Sequence, residues 1–290
     1  MVRANGERSI RPAVSDGLLG NTQIWLSSED FQRRMAPYAN PGAGAVRRVR
    51  PPRDSGWRIG NKRLHARRAP NGETLRALAA KREHEAPAFN DHKSCGALMR
   101  SAPFGFLRLE NPLRQTVEAA RLTHGRSTGY LAAAEYAQIV HEIVYAARTP
   151  PEAIDVAIAH VQAERGHGEV SRALRRAVRL AKSETEPKAA LTETLGTARS
   201  GDLALSIGVY CALVATSFKH GARLSVDHSG DNDSTGAITG ALLGLQVDRF
   251  RLPQTWLRHL ELRRVIEAVA NDMLIGYGGS DAWFKRDPGG

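Results

Sequence analysis

The segment "GDLALSIGVYCALVATSFK", residues 201–219, constrains this chain more than any other. It reads as a helix that is apolar nearly all round, and a helix without a polar face has to be enclosed. Its longest apolar run, Leu203 to Phe218, is interrupted by Ser206, Gly208, Thr216 and Ser217. That run falls short of the roughly 20 residues needed to cross a bilayer. The segment is therefore expected at the centre of a protein core rather than in a membrane.

The rest of the chain offers helices to surround it. "NGETLRALAAKRE" has good helix-forming composition, with Asn71 placed to cap its start. "STGYLAAAEYAQIVHEIVYAAR" brings Leu131, Ala134, Ile139, Ile143 and Ala146 close to one stripe, and Pro150–Pro151 stops it. "PEAIDVAIAHVQAER" repeats the design, with Pro151 near the helix start, where its missing N–H costs nothing. "GEVSRALRRAVRLAKSE" is amphipathic and basic and is expected as a solvated outer helix, while "TWLRHLELRRVIEAVANDML" reads as a last amphipathic helix. Convincing period-2 strands and internal repeats are absent. The expected fold class is all-α.

The net charge of +11 over 290 residues suggests a nucleic-acid binder until it is mapped along the chain. Residues 1–68 hold 14 Lys/Arg and 5 Asp/Glu, whereas the other 222 hold 27 and 25. Basic character thus belongs to the N-terminal quarter, and nucleic acid is not the expected partner. Residues 1–55 mix Arg, Gly and Pro without an apolar period and are expected to form a disordered or non-native leader, with one short helix capped by Ser28. A helical domain over 56–280 and a tail over 281–290 complete the expected organisation. "MVRANGERSIRPAV" lacks the apolar core of a secretory signal, and the two cysteines, Cys95 and Cys211, lack metal-type spacing. A reducing cytoplasm is the default.

Three constellations could carry chemistry. In "DHSGDNDSTGAITGALLG", Asp231, Asp233 and Ser234 can turn hard oxygen donors to one point at a helix start, as Mg²⁺ and Mn²⁺ favour. A plain N-cap needs only one of them. Gly236, Gly240 and Gly244 follow as a side-chain-free stripe, open to a packing helix or to a ligand. In "NDHKSCGALMRSAPFGF", a polar loop runs into a helix start and can present backbone N–H groups to an anion, or simply be capped. In "LTHGRSTGYLAAA", His124 stands in a loop before a helix, suited to touch a ligand or to hold structure. There is no Ser-His-Asp spacing, Cys/His cluster or P-loop.

Taken together and in order, these segments, with "ALSIGVYCALVA", "LPQTWLRHLELRRVIEAVANDM" and "SGWRIGNKRLHARRAPNGETLRAL", resemble the ADP-ribosylglycohydrolase family over about residues 56–275. The resemblance implies an orthogonal multi-helix fold, a pair of Mg²⁺ or Mn²⁺ ions, and hydrolysis of the bond from ADP-ribose to a protein side chain or small molecule. It places Asp231, Asp233 and Ser234 on the family's metal ligands, Ser94, Cys95 and Gly96 on its ADP-ribose loop, and His124 on its substrate-side histidine. The catalytic residue is left unassigned.

The family's N-terminal glycine-rich segment and Thr-Asp-Asp triplet have no clear counterpart, Ser15–Asp16 in "VSDGLLGNTQIW" being the nearest. Lys93-Ser94 also replaces a usual Lys-Gly, Arg126-Ser127 a usual His-Pro, and "LGTARSGD" a glycine–tryptophan turn. The expectation is an N-terminally incomplete member that holds at most one of the two ions. The alternative is a non-catalytic ADP-ribose- or nucleotide-binding, or structural, helical module.

Overall fold

The computed structural model describes residues 71–80, 86–106 and 111–275, the side chains of 192–194 and 272–275 excepted. The 1–55 leader, the helix expected after Ser28, the segment around Trp57 and the 281–290 tail lie outside the described residues. Within them the fold is all-α. No strand occurs among the described residues, and an isolated antiparallel bridge joins Ser94 to Ser200. No helix among them is long and apolar enough to cross a membrane.

Helix α1 spans Gly72–Ala79, and Asn71 caps it by accepting from the Thr74 N–H at 2.9 Å. After a 3-10 turn at Leu98–Arg100 come α2, Ala102–Phe106, and α3, Pro112–Arg121. Helix α4 runs Ser127–Tyr145 and ends before the proline pair, with Ala147 in the left-handed region at φ 51°. Helix α5, Pro150–Val161, opens with the Glu152 carboxylate accepting from the Thr149 N–H and hydroxyl. Helix α6 is Gly168–Ala181, and α7, Pro187–Ala189, continues as a π-helical segment over Ala190–Leu195.

The enclosed helix is α8, Gly201–Val214. From Gly201 to Ala212 every residue except Leu203 is buried, and α4, α6, α9 and α10 pack around it. It stops short of the expected 219. Ser217 accepts from the His220 N–H at 3.1 Å and caps a separate helix α9, Phe218–Leu224. Helix α10 is Asn232–Gly244. The last expected helix is also two, α11 (Gln254–His259) and α12 (Arg263–Ile275), broken where Leu262 turns to φ 59°. The local sequence has neither Gly nor Pro there, so nothing in it marks the break.

Close packing of α10 comes from an unexpected glycine. A Cβ on Gly208 of α8 would sit 2.5 Å from Ile238 Cγ2, and the Thr239 hydroxyl donates to the Gly208 carbonyl at 3.2 Å. The stripe on α10 itself does not serve this purpose, because among the described residues Gly240 and Gly244 have nothing within 4 Å of where a Cβ would stand. The α8–α10 contact therefore fixes the start of α10, where Asp231 and Asp233 lie.

One core group is out of place energetically. Glu135, on α4, is 0% exposed, and neither carboxyl oxygen has a hydrogen-bond partner among the described residues. Burial pushes its carboxyl up to about 9. The folded state thus keeps a proton that the unfolded chain releases in the ordinary glutamate range, so the group's contribution is most favourable below that range and is lost as pH rises toward 9. Glu135→Gln is expected to stabilise the protein by on the order of 2–4 kcal/mol near pH 8, the gain shrinking to about zero near pH 4. Urea denaturation at the two pH values checks it.

Candidate functional site

Asp231 stands at the start of α10, and its backbone N–H donates to the Thr197 carbonyl at 3.0 Å. This bond docks the α10 entry onto the turn preceding α8. In that turn Gly196 has φ 89° and Ala198 φ 58°, an uncommon conformation for a residue with a Cβ, held in place by complete burial of Ala198. The turn carries Arg199, which is exposed and lines a cavity of about 430 Å³. Asp231, Ser94, Asn71, Glu73 and Arg76 line the same cavity. Four separate segments meet there: α1, the 93–96 loop, and the two turns at 196–199 and 229–231.

The carboxyls of Asp231 and Asp233 hydrogen-bond each other. Asp233 is raised above the usual aspartate range, first by that bond, then by burial and the like charge of Asp231. Burial pushes Asp231 upward too, but bonds from Asp233, Cys95 and Ser234 outweigh it and leave Asp231 below the usual range. Two carboxyls set this close offer the oxygen donors that a hard divalent cation takes, its charge offsetting theirs. Both are at least partly exposed and fit that role. Ser234 is 0% exposed, its hydroxyl packed 3.1 Å from Cys95 Sγ and 3.0 Å from Met99 Sδ, so it closes the inner side of the cluster. Among the described residues no group of three His, Cys, Asp or Glu side chains forms a metal-type cluster.

Cys95 joins the second constellation to the first. Its thiol donates to Asp231 Oδ2 at 2.7 Å, and burial, followed by that hydrogen bond, pushes it up to about 12. It stays a thiol and holds the Asp231 carboxylate in orientation. The loop around it is not the open helix start expected from sequence. Residues 98–100 form a 3-10 turn, and the Ser94 N–H already donates to the Glu73 carboxylate at 3.1 Å, so that donor is taken. Gly96 serves packing: a Cβ there would lie 2.6 Å from Thr74 Oγ1 and 2.7 Å from Asn71 Cγ.

His124 is fully buried and stands behind the cavity rather than in it. Its Nε2 is 3.1 Å from Ser94 Oγ, and its Nδ1 is 2.8 Å from Thr123 Oγ1, which in turn accepts from Arg100 at 2.5 Å. Burial, then the nearby charges of Arg100 and His92, lower the imidazole to about 3. A neutral ring between two hydroxyls positions Ser94. The residues that sequence reasoning missed are Arg76 and Arg199. The one available signal was the unusual "LGTARSGD" turn that contains Arg199.

The ADP-ribosylglycohydrolase family model matches residues 12–282, and the chain belongs to this family. The match begins well before Trp57, inside the basic N-terminal quarter. A solved structure described as an ADP-ribosylglycohydrolase-related protein complex is similar at 27% identity, with a TM-score of 0.56 over 71% of this chain and 68% of that one. No curated protein matches the chain significantly. Members of the family hydrolyse ADP-ribosyl linkages and in general depend on divalent metal.

Gly96→Ala is expected to destabilise the protein by about 1–3 kcal/mol, because the added methyl meets the Asn71 cap of α1. Chemical denaturation measures the loss.

Proposed function

We propose that the chain takes an ADP-ribosyl group in the cavity beside Asp231 and hydrolyses its linkage to a protein side chain or a small molecule. The observation that carries this reading is the meeting of Asp231, Ser94, Arg76 and Arg199 around one cavity large enough for a nucleotide-sized ligand. Arg76 and Arg199 have no carboxylate partner among the described residues, so their guanidinium forks are free to engage a diphosphate. The Ser94 hydroxyl, held by His124, is placed to bond a ribose or phosphate oxygen. Asp231 and Asp233 would hold one Mg²⁺ or Mn²⁺. Such an ion supplies charge neutralisation and orients ribose hydroxyls and a water. Cys95 keeps Asp231 turned toward that position, and Ser234 supports it from behind.

A second reading, ADP-ribose binding without turnover, draws support from Ser234. Its inward-facing hydroxyl leaves two carboxylates as the ligands that α10 offers. The experiment separates the two. In calorimetry on the full chain, one ion binds and Asp233→Ala removes the heat. Arg199→Ala weakens ADP-ribose binding by roughly tenfold, the size of one charge-assisted contact. Release of ADP-ribose from ADP-ribosyl-arginine or ADP-ribosyl-serine, lost in Asp233→Ala, establishes hydrolysis. Binding without release establishes the second reading, and absence of both sinks the assignment.

The neighbouring Asp231 carboxyl holds Asp233 above its usual range, so in metal-free protein Asp233→Asn is expected to cost no more than about 0.5 kcal/mol, or to stabilise. Thermal melts with a chelator present test it.

A further inference from the structure

Arg172, Arg175, Arg176 and Arg179 recur on one face of α6 at spacings of three and four residues, so neighbouring guanidiniums repel along the helix. All four are exposed, and among the described residues none has a carboxylate partner. A solvated helix face would need no further explanation, but this face is concave. The four side chains line a cavity of about 740 Å³ formed between α6 and α8, with Ala173, Leu195 and Leu203 as apolar walls.

The two carboxylates at that cavity are engaged elsewhere. Glu169 accepts from Thr128 at 2.5 Å and pairs with Lys93 and Arg126 at 3.3 Å, and Asp202 accepts from the Ser200 hydroxyl at 2.6 Å. The charge of Glu169 is thus offset by Lys93 and Arg126, and Asp202, bonded to a neutral hydroxyl, sets one negative charge against four arginines, so the hollow keeps a net positive potential between its apolar walls.

We propose that this cavity is a second anion site, separate from the one beside Asp231, for a compact ligand carrying two or more linked phosphates. Arg172 and Arg179 stand roughly 10 Å apart along the helix axis, too far for one phosphate to reach all four forks. A short run of phosphates spans them, and each fork matches phosphate oxygens in pairs. Among the described residues no aromatic side chain lines the cavity, so they offer bases nothing to stack on and recognition falls to the phosphates. The inference does not depend on the activity proposed above.

Tripolyphosphate is the probe, titrated into the full chain in metal-free buffer, with inorganic phosphate and a single-stranded oligonucleotide for comparison. Tripolyphosphate is expected to bind roughly tenfold or more tightly than inorganic phosphate, and Arg175→Ala/Arg179→Ala to weaken it by a similar factor. Arg223→Ala, which removes an exposed arginine of α9 that lines neither cavity, is expected to leave it unchanged. On the unaltered chain, where folding is not in question, bound tripolyphosphate should protect the arginines of α6 from phenylglyoxal, as read by peptide mass spectrometry. Equal affinity in the double variant, or unprotected α6 arginines, overturns the proposal. Binding that survives in the double variant but is lost in Arg199→Ala puts the anion in the other cavity and overturns it too. A stronger response to the oligonucleotide than to tripolyphosphate would contradict a compact ligand.

Discussion

The contact between α8 and α10 at Gly208 governs the rest of the structure. With no Cβ on Gly208, Ile238 packs directly on the α8 backbone, and the Thr239 hydroxyl bonds the Gly208 carbonyl. Interiors are packed densely enough that a displacement here would be transmitted rather than absorbed. The start of α10 is thereby fixed relative to the enclosed helix, and with it the Asp231–Asp233 pair.

From that anchor the site is assembled by short, polar, long-range links. The Asp231 N–H bonds the Thr197 carbonyl, the Gly201 N–H bonds the Lys93 carbonyl at 2.7 Å, and the Cys95 thiol bonds the Asp231 carboxylate. Each joins segments far apart in sequence. Together they hold the 93–96 loop, the 196–199 turn and the α10 entry as one wall. The left-handed Ala198 is the local strain that this wall sustains, and the side chain it delivers to the cavity is Arg199.

Electrostatics divide the molecule into two neighbouring zones. Beside Asp231 two carboxyls are crowded together, and two guanidiniums line the same cavity. Beyond the 196–202 turn the balance is reversed. Glu169 there is paired with Lys93 and Arg126, and four arginines face the hollow against Asp202 alone. The burial of His124 and Glu135 shows the same physics from the other side, both being driven toward their neutral forms by desolvation.

Much of the fold was legible in the chain because it rests on local periodicity. The all-round apolar pattern of 201–219 dictated an enclosed helix, Asn71 and Pro150–Pro151 marked helix starts, and the Asp231–Asp233 pair marked the start of α10. Ordered motifs identified the family. Three-dimensional packing alone decided that Gly208, not the α10 stripe, lets the helices approach. It also placed His124 behind Ser94, turned the Ser234 hydroxyl inward, and made the basic face of α6 the wall of a cavity. The reason is one of range. Capping and amphipathicity act within a few residues and leave a trace in spacing, whereas Cys95 meeting Asp231 or Arg199 meeting Ser94 depends on chain segments about 100 or more residues apart, and no local pattern encodes which of them will touch.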